Sequence, residues 1–247
     1  MWRKTRQLVR QHSALRVVSR GGTGAGGDDT VLESQTMKGS HYVVRPMEQE
    51  DIPHVARIDR EAFPGEWVFR SQSAYKRDLD NPSVRHVVAC RVGAAEEPER
   101  ETTKKAPWFK RLFRSERGND AAEHIVGFSG FWMLMREAHI IAIGVRDGHR
   151  RLGIGEGLLI ATIELAQMLN ADVVTLEVRA SNETAQALYE KYGFQVKGRR
   201  LRYYSSDGED AIIMSTDSIT AMPFQTSFQE LGRGHAWRHP EILVQVG

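Results

Sequence analysis

The stretch HRRLGIGEGLL, residues 149–159, places two arginines and three alternating glycines directly before a long apolar run. Glycine weakens a helix, so three glycines at the expected start of one need a physical reason. The first amides of a helix have no partner within it, and the helix dipole favours an anion there. Gly153 and Gly155 remove side chains that would block close approach, and Arg150 and Arg151 add positive charge. The stretch therefore predicts a phosphate cradle at the beginning of a helix.

The glycine spacing distinguishes this cradle from two other phosphate-binding loops. A P-loop would continue with Gly-Lys-Ser/Thr, which does not follow here. A dinucleotide fingerprint would read GxGxxG, whereas this chain reads GxGxG. The remaining alternative is a glycine-rich turn between a strand and a helix that binds no ligand.

The composition is that of an ordinary globular protein, since 40% of the 247 residues are apolar and 27% are charged. A net charge of +2 gives no general case for nucleic-acid binding. Cys90 is the only cysteine, which excludes an internal disulfide, fits a reducing compartment and predicts a cytoplasmic location. We find no apolar run of the length that a membrane span requires.

The first 27 residues contain no acidic side chain, but they contain six basic ones and end in the run GGTGAGG. Two interpretations are open: an organellar transit peptide, or a disordered leader with the translation start at Met1 or at Met37. We predict the disordered leader, over residues 1–40.

Regular hydrophobic patterns begin at residue 41 and give the order β-α-α-β-β-β-α-β-α-β-β. This order predicts an α/β sheet that is mostly antiparallel, with one parallel crossover formed by strand 138–145, helix 154–169 and strand 172–178. We assign the domain to residues 41–216. Residues 217–247 form a C-terminal extension whose role is not predicted, and its sequence shows little pattern after Ile219.

A charged insertion at residues 93–122 separates two predicted strands and is too long for a hairpin turn. It contains WFKRLFR, residues 108–114, which mixes aromatic and basic side chains. This segment fits either a short amphipathic surface-binding helix or a mobile polar loop, and we predict the flexible loop.

The spacing Arg150-x-x-Gly153-x-Gly155 resembles the pyrophosphate-binding signature of the GNAT N-acetyltransferases, which bind acetyl-CoA. TLEVRASNETAQALYEKYGF, residues 175–194, follows at the distance that one crossover helix requires. Together with RRLRYYSSDGEDAIIM, residues 199–214, it resembles the RimI branch of that family, bacterial N-terminal acetyltransferases that modify ribosomal proteins. The similarity covers residues 41–216 and is strongest from Ile141 onward.

This resemblance implies the GNAT fold, with the parallel crossover at the cofactor site, acetyl-CoA as the acyl donor, and no metal. The implied cofactor-binding residues are Ile143, Gly144 and Val145 along the pantetheine, Arg150, Arg151, Leu152, Gly153, Ile154, Gly155 and Glu156 around the pyrophosphate, and Asn182 on the CoA arm. Asn182 or Ser181 would serve equally as a helix N-cap. Gly144 replaces the alanine often found there, which we expect to loosen local packing. Glu156 is unusual beside phosphates, so we expect its side chain to point outward.

The resemblance also implies that Glu177 is the general base. Burial in an apolar strand would raise its pKa toward the useful range. The alternative is a structural salt bridge, for instance with Arg179. Tyr189 is implied as the acid that protonates the departing thiolate, and a core aromatic is the alternative. Tyr192 does not match the motif position.

Three other residues invite functional interpretations that the pattern does not support. Cys90 lies on an early strand with no matched partner, which argues against an acyl-cysteine mechanism. His235 and His239 are weak evidence for a metal, because no further ligands match them.

The peptide site is expected between the first two helices and the last strand pair. By resemblance, its candidate lining residues are Tyr203, Tyr204, Glu209 and Asp210.

Taken together, these features predict an acetyl-CoA-dependent N-acetyltransferase that acts on the N-terminus of a protein, possible substrates being ribosomal proteins. The acetyl group is expected to pass directly from donor to acceptor in a ternary complex. One alternative is a GNAT enzyme that acetylates a small-molecule amine. Another is a noncatalytic acyl-CoA-binding or ribosome-associated module. Neither a nucleic-acid partner nor a stable membrane span is predicted.

Overall fold

The computed structural model describes residues 41–63, 71–92 and 124–246. The predictions for the leader and for the charged insertion therefore concern residues outside the described ranges. The described strands are β1 His41–Pro46, β2 Val84–Val92, β3 His124–Leu134, β4 Glu137–Val145, β5 Val173–Arg179, β6 Phe194–Arg200, β7 Ala211–Thr216 and β8 Ile242–Val244. The helices are α1 Ile52–Ala62, α2 Gln72–Asp80, α3 Ile154–Met168, α4 Glu183–Lys191 and α5 Met222–Arg238, with short 3-10 turns at Gln49–Asp51 and Asp147–His149.

The described strands form one mixed sheet in the order β6-β7-β5-β4-β3-β2-β1-β8. β4 and β5 run parallel and are joined through α3, which confirms the predicted crossover. β1 and β8 form a second parallel pair, and the remaining neighbours are antiparallel. The predicted α/β fold, mostly antiparallel with a parallel crossover, is therefore confirmed.

Helix α3 is apolar on most of its circumference and is enclosed by the sheet and neighbouring segments. Leu158, Leu159 and Ile163 are fully buried in the larger of two core clusters. A helix this apolar is stable only when covered, since each buried leucine or isoleucine contributes about 1.5–3 kcal/mol. Helices α1 and α2 cover a second cluster that includes Ile58, Tyr75 and Phe128. These two clusters fix the position of the strands between them.

Strands β4 and β5 separate in the middle of the sheet. Their pairing runs from Glu137–Val173 to Ile140–Leu176 and stops there. Ile141 is the extra residue of a β-bulge on β4, after which β4 continues alongside β3 alone. β5 continues alongside β7. The divergence leaves an opening between β4 and β5, and Glu177 is the first residue of β5 beyond the last pair.

The C-terminal extension contains more regular structure than its sequence pattern predicted. Helix α5 packs through Phe224, Phe228 and Leu231, which recur at helical spacing. Strand β8 then pairs with β1. The expectation of little pattern after residue 219 was therefore wrong, since these three residues are a helical signal, although they are few in a helix of 17 residues. None of the helices in the described ranges is long and apolar enough to cross a membrane.

Candidate active site

The predicted cradle is a run of unpaired amides at the start of α3. Within the described part of the chain, the backbone N–H groups of residues 151–156 donate to no protein acceptor, whereas Arg150 N–H donates to the Asp147 carbonyl at 3.2 Å. Arg151 and Gly153 have φ angles of 64° and 80°, in the left-handed region. Alternation of conformation of this kind turns successive N–H groups toward one side. The loop therefore presents a concave set of donors suited to a phosphate.

The side chain of Arg150 connects the cradle to neighbouring residues. The Nε atom of Arg150 donates to the carbonyl of Val145 at 3.0 Å, and a guanidinium nitrogen lies 3.0 Å from Asp147. Arg151 is exposed. Val145 is the last residue of β4, so Arg150 ties the cradle to the opening between the strands.

Glu156 lies in the first turn of α3 and points away from the cradle, toward α4 and α5. Its carboxylate accepts hydrogen bonds from Lys191 at 2.6 Å, the Tyr192 hydroxyl at 2.7 Å and Arg238 at 3.0 Å. Burial raises the pKa of Glu156, but the hydrogen bonds from Lys191 and Tyr192 outweigh it and hold the pKa below its ordinary value. Glu156 is therefore an anion held by two cations and one hydroxyl group.

Glu177 lies at the mouth of the opening between β4 and β5. Its carboxylate oxygens are 2.9 Å from Nε2 of His139 and 3.0 Å from a guanidinium nitrogen of Arg200, and the side chain is only 9% exposed. The hydrogen bond with His139 lowers the pKa of Glu177, and although burial opposes it, the pKa lies below its ordinary value. The expectation of a raised pKa was therefore wrong. The buried carboxylate also contacts His139 and Arg200, which are distant in sequence and lower its pKa. The alternative partner, Arg179, instead contacts Asp207 and Glu209.

His139 is a site residue that the sequence reasoning missed. It pairs in register with Thr175, two residues before Glu177 on β5, so all three side chains share one face. Its Nδ1 atom is 2.9 Å from the Thr175 hydroxyl, which donates to Glu137 at 2.5 Å. The hydrogen bond to Glu177 raises the pKa of His139 above its ordinary value. His139 pairs with Thr175 because of the register of the parallel crossover. That register is the signal from which His139 could have been found.

Tyr189 lies on the other side of β5 from Glu177. It belongs to the core cluster of Leu176 and Val178, the residues that flank Glu177 and point the opposite way. Its ring centroid is 5.7 Å from that of Phe194, and burial raises the pKa of Tyr189 to about 12. Its hydroxyl donates no hydrogen bond to any residue that the structure describes. The structure therefore places Glu177 and Tyr189 on opposite faces of β5, and the catalytic role of Tyr189 stays a prediction.

Comparison with known proteins identifies the family. A model of the acetyltransferase (GNAT) family matches residues 55–194, more than half of the chain. The chain belongs to the GNAT acetyltransferase family.

Individual GNAT relatives are similar over most of their own length. An N-alpha-acetyltransferase of Sulfurisphaera tokodaii is 45% identical over 191 residues, which cover 74% of this chain and 96% of the relative. The N-alpha-acetyltransferase RimI of Mycobacterium tuberculosis is 41% identical over 124 residues, or 45% of this chain and 77% of that one. The ribosomal protein bS18-alanine N-acetyltransferase of Escherichia coli is 35% identical over 118 residues, or 44% of this chain and 80% of that enzyme. These names confirm the resemblance to the RimI branch.

The crystal structure of the Escherichia coli ribosomal-protein-S18-alanine N-acetyltransferase has the same fold. It aligns with a TM-score of 0.52 at 24% sequence identity, and the match covers 72% of this chain and 94% of that one. At this identity the likeness supports the fold alone.

The β4 residues that a GNAT cofactor would follow, Ile143 to Val145, lie beyond the last β4–β5 pair. A Cβ atom at Gly144 would come within 3.1 Å of Phe128 and 3.2 Å of Ala62 in α1. Gly144 therefore lets the end of α1 pack closely, and the expectation of looser packing was wrong. Asn182 is the N-cap of α4, where its side chain accepts from the Ala185 amide at 3.1 Å. Its contact with the CoA arm stays a prediction.

Three of the four predicted peptide-site residues stabilise the loop between β6 and β7. Glu209 accepts from Arg179 at 2.6 Å and from the Ser181 amide at 2.7 Å. Asp210 accepts hydrogen bonds from the Arg199 side chain and from the Arg202 amide, both at 2.7 Å. Tyr204 is buried, and its ring centroid lies 4.1 Å from the Arg179 guanidinium. The ring of Tyr203 is 5.5 Å from the guanidinium of Arg200, the partner of Glu177. Tyr203 is thus in contact with a residue that also pairs with Glu177.

The remaining candidates have structural surroundings. Cys90 is buried in the cluster under α1 and α2. Nε2 of His235 lies 3.0 Å from the Gly153 carbonyl oxygen, and Nδ1 of His239 lies 3.3 Å from Glu241. In the described ranges, no three His, Cys, Asp or Glu residues are grouped so that they could hold a metal ion.

Proposed function

We propose that this GNAT protein acetylates the N-terminal α-amine of a protein, with acetyl-CoA as acyl donor, by direct transfer while both substrates are bound. The observation that carries the proposal is the position of the Glu177 carboxylate, at the opening between β4 and β5 and paired with His139. Relatives named N-alpha-acetyltransferases support the α-amine as acceptor. The bS18-alanine enzyme of Escherichia coli supports a ribosomal protein as partner.

The cradle and the opening fit acetyl-CoA. The unpaired amides of residues 151–156 would hold the pyrophosphate, together with the guanidinium groups of Arg150 and Arg151. A Cβ atom at Gly155 would meet nothing closer than 3.9 Å, so the glycine leaves open space there for a ligand. The backbone of residues 143–145, freed from β5, would hold the pantetheine, and Asn182 its arm. Acetyl-CoA would supply an acetyl group activated as a thioester.

Glu177 and His139 act as the proton acceptor in this proposal. A substrate ammonium is attracted to the Glu177 carboxylate and must lose one proton before its nitrogen bonds to the thioester carbonyl carbon. Because the pKa of Glu177 is lowered, the carboxylate alone is a weak base. His139 has a raised pKa and takes up the proton through the 2.9 Å contact. Arg200 keeps the carboxylate ionised and oriented.

Tyr189 supplies the proton that the leaving sulfur needs. As the carbon–sulfur bond breaks, its electron pair goes to the sulfur, which a nearby acid must protonate, and the second proton that the acylated nitrogen loses restores that acid. The pKa of about 12 keeps the phenol protonated at neutral pH, and its hydroxyl is engaged by no described residue. A ligand within the opening would meet Glu177 on one face of β5 and Tyr189 on the other.

The test is to incubate the protein with acetyl-CoA and peptides that differ in their first residue, with spermidine as a small-amine control, and to locate acetyl groups by mass spectrometry. We expect acetylation of the peptide α-amine, with a preference for some first residues. Acetylation of spermidine alone would support the small-amine alternative. Binding of acetyl-CoA without transfer would support the noncatalytic one. A cytoplasmic location belongs to the same proposal and is supported by the single, buried Cys90.

A further inference from the structure

The C-terminal segment, defined as residues 217–246 with α5 and β8, contacts the cradle at three places. We propose that this segment positions the cofactor loop, and that His235 and Arg238 are positioning residues for acetyl-CoA binding. The inference rests on the proposed function, since it takes acetyl-CoA as the ligand of the cradle. It assigns a role to a segment whose sequence predicted none.

His235 holds the bend of the loop. Its side chain is 2% exposed, and Nε2 donates to the carbonyl of Gly153 at 3.0 Å. The same carbonyl accepts the first helical hydrogen bond of α3, from Gly157 at 3.0 Å. Burial lowers the pKa of His235, so the ring is neutral at neutral pH and its one N–H is committed to this bond. The left-handed residue at the centre of the cradle is thereby fixed from outside the loop.

His239 closes the space beside the same residue. A Cβ atom built on Gly153 would lie 2.6 Å from the His239 ring, which leaves no room for a side chain. The ring is held by Glu241 at 3.3 Å and lies 5.1 Å from the ring of His235. The two histidines therefore pack as a unit against Gly153.

Arg238 neutralises the acid in the first turn of α3. Its guanidinium is 3.0 Å from Glu156, whose carboxylate also contacts Lys191 at 2.6 Å. Two cations against one anion leave this junction with net positive charge. The carboxylate is held away from the amides of the cradle, where it would otherwise oppose a pyrophosphate.

Strand β8 anchors the end of the segment. The amide of Tyr42 in β1 donates to the Glu241 carbonyl at 2.7 Å, and the amide of Gln245 donates to the Val44 carbonyl at 2.8 Å. Because α5 continues directly into this anchored strand, its C-terminal end, with His235 and Arg238, keeps a fixed position against the cradle.

The first test compares His235→Leu with His235→Gln by titration calorimetry of acetyl-CoA. Leucine removes the donor, and we expect affinity to fall about five- to tenfold, the range for one lost hydrogen bond. Glutamine carries an N–H donor at a similar distance along the side chain, so it should restore affinity to within about twofold of wild type. The KM for peptide at saturating acetyl-CoA should stay unchanged in both variants, which separates positioning from general structural damage.

The second test uses Arg238→Met against Arg238→Lys, at a side chain that is 44% exposed and so less critical for folding. We expect weaker acetyl-CoA binding in the methionine variant, by about threefold, and recovery in the lysine variant. If His235→Leu fails to fold, the comparison of Arg238→Met with Arg238→Lys tests the proposal instead. Absence of acetyl-CoA binding by the wild-type protein overturns the proposed function and this inference together. Binding by the wild type, with equal affinity in the leucine and methionine variants, overturns this inference alone.

Discussion

The carboxylate of Glu177 lies 2.9 Å from Nε2 of His139, across the point at which β4 and β5 part. The two residues come from strands that pair for only a few positions, so the contact exists only at this edge of the opening. It couples two titrations, since each partner moves the pKa of the other in the direction that favours the ion pair.

Replacing Glu177 with Gln should lower kcat by about a hundredfold or more, since the proton acceptor loses its charge while its shape is kept. Acetyl-CoA affinity should be unchanged, because the cradle lies on other residues. Steady-state kinetics and calorimetry measure the two effects. Equal turnover of the variant and the wild type across the pH range would refute the assignment.

The activity of the wild-type enzyme should rise with pH through an inflection above 6.5, the ordinary pKa of histidine. Below this inflection His139 holds its proton and accepts no other, and above it the pair is free to act as a base. In His139→Ala the inflection should shift or disappear, because Glu177 then titrates without its partner. His41→Ala, at an exposed histidine on β1, is the matched control. An identical kcat/KM profile in His139→Ala would contradict the role of the pair.

The same coupling gives a stability effect of defined sign. The raised pKa of His139 contributes stability that is present below pH 6.5 and is lost as pH rises through the raised value. The lowered pKa of Glu177 contributes stability that is present above pH 4.5 and is lost as pH falls through the lowered value. Urea unfolding of wild type and His139→Ala should therefore differ most at mildly acidic pH and least at alkaline pH. A difference that grows with alkalinity would be inconsistent with these directions.

Replacing Tyr189 with Phe should lower kcat by about a hundredfold and leave the free energy of unfolding nearly unchanged, because its hydroxyl bonds to none of the described residues. Tyr192→Phe provides the contrast. It removes the hydrogen bond to Glu156 and should cost about 1.5–3 kcal/mol of stability. Chemical denaturation and kinetics of both variants test the pair of expectations. Comparable turnover in Tyr189→Phe and wild type would exclude Tyr189 as the acid.

Side chains at the two cradle glycines should act differently. Gly153→Val should lower both stability and acetyl-CoA affinity, since residue 153 has a φ of 80° and faces His239. Gly155→Val should leave the melting temperature close to that of the wild type, because a Cβ there meets little protein. It should still weaken acetyl-CoA binding at least about tenfold by occupying the ligand's space. Unchanged affinity in Gly155→Val would argue against the pyrophosphate assignment.

The parts of the fold that could be predicted from sequence are those encoded locally. The apolar run of α3 and the branched residues of β5 specify a buried helix and strand, and the spacing between them specifies the crossover. The pKa of Glu177 could not be predicted, because it depends on His139 and Arg200, which only the sheet brings near. His139 was recoverable from register, but a single histidine in a strand carries no signal until its neighbour is known. The contacts of α5 with Gly153 likewise arise from tertiary packing.

Strand β8 has a consequence for how this protein behaves among other molecules. An uncovered outer strand is a template on which a foreign chain can add itself by backbone bonding, a common first step toward insoluble assemblies. Here the polypeptide lays its own residues Ile242–Val244 along β1 and takes that place itself. The three-residue strand that then borders the sheet offers an intruder only a short ladder to extend.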